Sequence, residues 1–199
     1  MQDNGRDATK EVILLELTDA LTTRRSVRRF TGERVPDTVI EEILHYAPWV
    51  PNHHVSEPWR FVVVTGLSLE TLAGLRRDAV LNQRQGQDGA AERAERARTE
   101  FLQASAVVVL IQKLDPDPVR REEDYAAMAM AAYNLMLVAW DRGVGSFWST
   151  GPMTQDRAVR NWLDLTENER PVGFIRLGKP DIIPVQRRTP ASERTEWRR

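Results

Sequence analysis

The chain has 199 residues, 41% of them hydrophobic, with 28 lysines and arginines against 29 aspartates and glutamates and a net charge of −1. This composition can form a buried core, so disorder of the whole chain is not expected, and the balanced charge gives no general support for nucleic-acid binding. Because cysteine is absent, disulfides, cysteine-ligated zinc, iron–sulfur clusters and thiol nucleophiles are excluded.

The sequence shows no targeting or membrane signal. Residues 1–9 are polar and are predicted to form a flexible tail, whereas residues 10–199 contain no linker and predict a single α+β domain. The N-terminal segment lacks the apolar stretch of a signal peptide, and no run reaches the roughly 18 apolar residues of a membrane span. We therefore expect a cytoplasmic protein that binds neither membrane nor nucleic acid.

Helical and strand patterns follow one another in the first third of the chain. Apolar residues at helical spacing predict a first helix over residues 9–23. Asp37 is expected to cap a second helix, whose predicted inner face is Val39, Ile40, Ile43, Leu44 and Ala47. The proline-rich segment 47–58 predicts an ordered loop, which leads into an apolar strand at 61–65.

A charged segment interrupts the pattern in the middle of the chain. Ser68 is expected to cap a third helix that ends near residue 78. Segment 82–100 has few large apolar residues and is predicted to be a solvated or mobile helical excursion, with a lid as the alternative. The remaining predicted elements are a buried strand at 104–112, a turn at 115–118, a long helix at 122–142, a short strand at 147–150, a helix at 155–163 and a strand at 172–177.

Several standard chemical motifs are absent from the sequence. It contains no phosphate-binding GxxxxGK[ST] loop, no GxSxG nucleophile motif and no HExxH zinc motif. Gly143 and Gly145 lack the third glycine of a dinucleotide-binding fingerprint. His53 and His54 are adjacent and would point to opposite sides of an extended chain, so no metal site is predicted.

Two basic segments can bind an anion. The first follows the first predicted helix and contains Arg24, Arg25, Ser26, Val27 and Arg28. The second is the pair Arg187 and Arg188 in the tail. Guanidinium groups grip a phosphate through charge-assisted hydrogen bonds, often two at a time. An exposed basic surface is the alternative for both segments.

Two polar segments are suited to the edge of a planar ring. Asn52 and His53 lie on the proline-stiffened loop before the first strand. Trp148, Ser149, Thr150 and Gly151 combine small hydroxyl groups with a glycine that allows close approach. The alternatives are loop capping for the first segment and core packing for Trp148.

In combination and order, these segments resemble the nitroreductase family of FMN-dependent oxidoreductases, and within it the compact subgroup of small nitroreductases. The resemblance extends from about residue 10 to residue 190, through RRSVR, NHHVSEPWRFVVV, GVGSFWSTGP, LGKP and RRTP. It implies an α+β fold with a central, mainly antiparallel sheet flanked by helices. It also implies an intertwined homodimer with FMN at the subunit interface.

The resemblance implies a set of FMN-binding residues and no catalytic side chain, because the flavin carries the chemistry. The residues are Arg24, Arg25, Ser26 and Arg188 at the phosphate and ribityl chain, Arg28 near the pyrimidine end of the ring, Asn52 and His53 from the other subunit, and Trp148, Ser149, Thr150 and Gly151 along the ring.

The implied activity is the reduction of nitroaromatics, quinones or similar small electrophilic acceptors by NADH or NADPH, through a ping-pong hydride transfer. One alternative is the same fold with another acceptor chemistry, namely dehalogenation, ene reduction or flavin fragmentation. A second is a flavin-binding module with little turnover. A third is an RNA-binding domain, which the balanced charge and the lack of interleaved aromatics near the basic segment disfavour.

Overall fold

Four strands form one antiparallel sheet whose spatial order differs from their order in the chain. The computed structural model describes residues 16–199, and its strands are β1 (Trp59–Val64), β2 (Ala106–Lys113), β3 (Gly145–Ser149) and β4 (Glu169–Gly178). They lie in the order β1-β2-β4-β3, and every neighbouring pair is antiparallel. The predicted α+β fold with an antiparallel sheet is therefore confirmed.

Helices cover both faces of this sheet. They are α1 (Leu17–Thr23), α2 (Asp37–Tyr46), α3 (Gly66–Gln83), α4 (Ala90–Leu102), α5 (Pro118–Asp141) and α6 (Arg157–Trp162). One apolar core lies between the sheet and α3, α4 and α6, and a second lies between the sheet and α2 and α5. Because β2 is buried on both faces, its apolar residues run without the alternation of a half-exposed strand. Across residues 16–199, no helix has the length and apolar character needed to cross a membrane.

Some predicted helix boundaries are wrong. Asp37 does not cap α2, because Pro36 occupies the N-cap position and Asp37 is the first helical residue. Ser68 does not cap α3, which begins two residues earlier at Gly66 and continues to Gln83. The long helix α5 begins at Pro118 rather than near residue 122, because the Asp117 carboxylate accepts a hydrogen bond from the Val119 N–H at 2.9 Å.

Segment 82–100 is mostly helical and mostly exposed, and it packs against α3. Most of it belongs to α4, which packs along α3 through the buried residues Ala94, Ala97 and Phe101. Ala94 and Ala97 form a small buried cluster with Val80 of α3, and their small side chains let the two helices approach closely. Phe101 packs into the core beside the sheet. Gly86 and Gly89 lie in the connection and have positive φ angles of 78° and 69°, which glycine adopts without strain.

The predicted first helix is described only in part. α1 begins at Leu17, and the predicted start at residue 9 and the tail at residues 1–9 lie outside the described residues. The chain beyond β4 is exposed, with one short 3₁₀ turn at Ala191–Arg194.

Candidate cofactor site

Arginines from the two ends of the described chain line one cavity. Arg24 and Arg25, which follow α1, face Arg188 of the tail across a cavity of about 500 Å³. The cavity is also lined by Leu21, Thr22, Tyr133 and Gln186. The fold therefore brings residues of the two basic segments predicted from the sequence to one cavity.

Arg24 carries unsatisfied hydrogen-bond donors in this cavity. Its Nε and Nη1 atoms are buried and have no hydrogen-bond partner, and its guanidinium group lies 5.8 Å from the centre of the Tyr133 ring. Buried polar groups are normally hydrogen-bonded, and an orphaned charged donor is energetically costly. The arrangement indicates a site that gains its missing acceptors from an anionic ligand.

Arg25 and Arg188 are held less firmly. Arg25 donates from Nη1 to the Thr22 carbonyl at 2.7 Å and to the Arg24 carbonyl at 2.9 Å, which orients its guanidinium group. Arg188 is exposed and donates only to the Arg187 carbonyl, at 3.5 Å, among the described residues. The first arginine is thus preorganised, whereas the second is free to adjust to a ligand.

Backbone contacts fix the segment after Arg25 against the sheet. Ser26 forms a bridge with Ser146 of β3, and the Val27 N–H donates to the Ser146 carbonyl at 2.9 Å. Val27 is fully buried, whereas Ser26 and Arg28 on either side of it are exposed. The local alternation of an extended chain therefore presents the Ser26 hydroxyl and the Arg28 guanidinium to solvent.

Arg28 and the buried Arg176 lie on the same aromatic ring. The guanidinium carbons of Arg28 and Arg176 lie 4.8 Å and 4.9 Å from the centre of the Phe147 ring. Burial lowers the pKa of Arg176 to about 10, the nearby Glu100 opposes this shift, and Arg76 and Arg28 add to it. Sequence reasoning missed Arg176, although a lone arginine in the apolar run of β4 is a visible signal.

The loop after α2 uses Asn52 to hold itself together. The side-chain oxygen Oδ1 of Asn52 accepts a hydrogen bond from the Glu57 N–H at 2.8 Å, and the side-chain nitrogen Nδ2 of Asn52 donates to the Ser56 hydroxyl at 3.0 Å. Ser56 in turn donates to the carboxylate of Asp124, which is buried on α5. The Asn52 side chain is therefore a loop-organising group in this chain, as the loop-capping alternative proposed.

His53 and His54 do not point to opposite sides. A short 3₁₀ turn with a positive φ of 61° at His54 stacks the two rings, with centres 3.9 Å apart. His53 Nδ1 lies 3.0 Å from the Glu123 carboxylate, and 64% of the His53 side chain is exposed. Neither histidine lines the arginine cavity, so a role at the cofactor requires a second subunit, and no separate metal site is proposed.

The end of β3 divides into packed and open residues. The Trp148 indole packs over Gly173, where a Cβ atom would lie only 2.1 Å from Trp148 Nε1, and the Ser149 hydroxyl donates to the Phe174 carbonyl at 3.1 Å. Thr150 and Gly151 are exposed, and Gly151 has a φ of 114°. The Trp148 side chain thus has the core-packing role that the sequence left open, and Thr150 and Gly151 form the accessible surface.

Comparisons with known proteins match most of the chain to one family. The model of the nitroreductase family matches residues 21–179. YfhC of Bacillus subtilis, provisionally named an NAD(P)H nitroreductase, is 32% identical over 179 residues, which are 89% of this chain and 92% of YfhC.

Solved structures give the same result. A nitroreductase-like family protein from Bacillus cereus superimposes with a TM-score of 0.80 and 33% identity, over 92% of this chain and 96% of that one. A provisionally assigned nitroreductase from Desulfovibrio desulfuricans, solved in complex with FMN, shares the fold with a TM-score of 0.69 and 21% identity, over 92% and 96% of the two chains.

Proposed function

Because this chain belongs to the nitroreductase family of FMN-dependent oxidoreductases, we propose that it uses NADH or NADPH to reduce small electrophilic acceptors such as nitroaromatics and quinones. The observation that carries the proposal is the convergence of Arg24, Arg25 and Arg188 on one cavity, with buried donors of Arg24 left without partners. A cytoplasmic location is part of the same proposal, since reduced nicotinamide nucleotides are held there.

The donor set of the cavity fits the phosphate of FMN. A phosphate monoester carries close to two negative charges and three acceptor oxygens, and planar guanidinium groups bind such oxygens in pairs. Arg24 supplies two buried donor nitrogens, Arg25 is already oriented by the Thr22 and Arg24 carbonyls, and Arg188 supplies a third, adjustable charge. The exposed Ser26 hydroxyl lies beside them in the chain, where the ribityl chain would continue.

Arg28 is the residue that we assign to the pyrimidine end of the ring. When bound, FMN would supply the hydride-transfer chemistry between NAD(P)H and the second substrate. The Arg28 guanidinium, whose central carbon lies 4.8 Å from the centre of the Phe147 ring, would there provide positive charge where reduction develops negative charge. Thr150 and Gly151 are exposed and carry no bulky side chain, so their backbone would be accessible to the ring.

Exposed apolar side chains support a homodimer. Trp49 is 74% exposed, and α5 carries the exposed residues Tyr125 and Tyr133. The tail exposes Ile183 and Val185, the latter to 96%. A monomer rarely displays so many large apolar groups without a partner surface. In the proposed dimer this surface is buried, and His53 reaches the cofactor of the other subunit.

Absorbance and reduction of the purified protein test the proposal. We expect flavin absorbance bands, release of FMN on denaturation and, under anaerobic conditions, bleaching by NADH or NADPH that a nitroaromatic or a quinone reverses. Parallel lines in double-reciprocal plots of the steady-state rates will show ping-pong kinetics, and light scattering will give the mass of a dimer. A protein that binds no flavin overturns the proposal. A flavin that neither nucleotide reduces leaves a binding module with little turnover.

A further inference from the structure

A second arginine-lined cavity lies between α3 and α4. It has a volume of about 330 Å³, and the residues that matter for its chemistry are Arg76, Arg84, Arg93, Arg96, Glu100 and Pro152. We call it the α3–α4 arginine pocket. It is separate from the cavity of Arg24, Arg25 and Arg188, and the two share no lining residue.

The antiparallel packing of α3 and α4 explains why the arginines meet. Arg76 on α3 and Arg84, which caps the C-terminus of α3, are separated by about two helical turns. On α4, Arg93 and Arg96 are three residues apart, so they lie on one face of the helix. The turn through Gly86 and Gly89 folds the two faces together.

The positive charge of the pocket is poorly compensated. Among residues 16–199, none of its four arginines forms an ion pair, in contrast to Arg77 and Arg98 on the same helices, which pair with Asp78 and Glu95. The one acidic lining residue, Glu100, lies 3.5 Å from the buried Arg176.

The pocket arginines also keep free donors. Within residues 16–199, the Arg84 guanidinium donates only to the neutral side chain of Gln87, at 3.2 Å, and the Arg93 guanidinium only to the Asp88 carbonyl, at 3.3 Å. Arg76 is half-buried, its Nε atom has no partner, and burial lowers its pKa despite the opposing charge of Glu100. An anion in the pocket would satisfy these donors.

The pocket borders the segment that we assign to the flavin ring. Pro152 lines it and directly follows Gly151, and Arg76 Nη1 lies 3.9 Å from the position that a Cβ atom on Gly151 would occupy. A molecule that lies on the ring beside Gly151 can therefore extend a charged group into the pocket.

We propose that the α3–α4 arginine pocket binds a phosphate group of the nicotinamide nucleotide while its nicotinamide ring lies on the flavin. This inference rests on the proposed function. The group is either the diphosphate bridge, which NADH and NADPH share, or the 2′-phosphate, which NADPH alone carries. Both are multiply charged anions that an arginine cluster recognises in the same way.

A double substitution on the exposed face of α4, Arg93→Gln with Arg96→Gln, tests the proposal. The matched control is Arg77→Gln with Arg98→Gln, which removes two charges from α3 and α4 outside the pocket. Calorimetric titration of the flavin-loaded protein with ADP and with adenosine 2′,5′-bisphosphate measures phosphate binding without turnover. We expect the double variant to weaken binding of one or both probes by roughly tenfold to a hundredfold, and the control to change it by less than about threefold.

Rapid anaerobic reduction separates the two sources of phosphate. An increase in the dissociation constant for both nucleotides supports the diphosphate bridge, and an increase for NADPH alone supports the 2′-phosphate. The limiting rate of reduction should stay unchanged, because the pocket arginines do not touch the reacting atoms. Unchanged constants for both nucleotides, or an equal loss in the control, overturn this inference alone. Failure of both nucleotides to reduce the wild-type flavin overturns the proposed function instead.

Discussion

Replacing Arg24 with alanine is the sharpest test of the phosphate site. Arg24 has two buried donor atoms, Nε and Nη1, that have no hydrogen-bond acceptor, and a bound ligand would supply these acceptors. We therefore expect Arg24→Ala to weaken FMN binding while leaving the stability of the flavin-free protein nearly unchanged. This pair of effects separates a ligand-binding arginine from a structural one.

The size of the effect follows from the donors involved. A charge-assisted hydrogen bond contributes about 1.5–3 kcal/mol, and Arg25 and Arg188 remain to hold the phosphate in the variant. A net loss of about 1.5–3 kcal/mol corresponds to a roughly 10- to 150-fold increase in the dissociation constant of FMN. In the flavin-free protein the substitution removes unsatisfied buried donors and a weak contact with Tyr133 at 5.8 Å. These two changes oppose each other, so the free energy of unfolding should stay within about 1 kcal/mol of the wild type.

Fluorescence titration of flavin-free protein with FMN measures the affinity, and urea unfolding of the same preparation measures the stability. Arg29→Ala is the matched control, because Arg29 is an exposed neighbour that pairs with Asp181 at 3.4 Å and does not line the cavity. An unchanged FMN affinity in Arg24→Ala refutes the assignment. An equal loss in Arg29→Ala would show that the cavity responds only to net charge.

Two further predictions concern the sheet. Gly173→Ala places a Cβ atom 2.1 Å from Trp148 Nε1, so it should lower the free energy of unfolding, measured in urea, by about 1–3 kcal/mol. Adding Trp148→Leu should restore part of this loss. A Gly173→Ala variant that is as stable as the wild type contradicts the packing. Although burial acts to raise it, the pKa of Glu169 is lowered by hydrogen bonds from Arg60 and Thr166, so this carboxylate stabilises the fold at neutral pH and less as pH falls below about 4.5. Glu169→Gln should therefore cost about 1–2 kcal/mol at pH 7, and this difference should shrink in unfolding measurements toward pH 3, whereas a constant difference would refute the link to ionisation.

Strands and apolar helices could be predicted from the sequence because their signals are local. The continuous apolar run of β2 requires burial on both faces of the strand. The predicted caps of α2 and α3 failed because neighbouring residues compete for the same position. Pro36, with its fixed φ angle, takes the cap position before Asp37, and the chain turns into α3 at Gly66 before it reaches Ser68.

The charged helix α4 shows a limit of reasoning from hydrophobicity. Its one large buried side chain is Phe101, and its contact with α3 along the rest of the helix comes from Ala94 and Ala97, whose small side chains contribute little to any apolar pattern. What they provide is close approach, which becomes visible only when α3 is placed opposite them. The same placement creates the α3–α4 arginine pocket, so neither the helix packing nor the pocket follows from either helix considered alone.

The residues of the candidate cofactor site could be predicted from the sequence, but not how firmly each is held. The motifs predict that Arg24 and Arg188 bind one phosphate, and the fold brings both to one cavity. Yet Arg188 lies in an exposed tail, held among the described residues only by a 3.5 Å contact with its neighbour's carbonyl, and Val185 beside it is almost wholly exposed. In a single subunit, the entropic cost of ordering this long side chain would oppose part of the gain from its contact with the phosphate. Burial of the tail's exposed apolar residues, such as Val185, against a second subunit would order the tail before FMN binds. Dimer formation would then meet the entropic cost of ordering Arg188, so dimer formation and flavin affinity should be coupled.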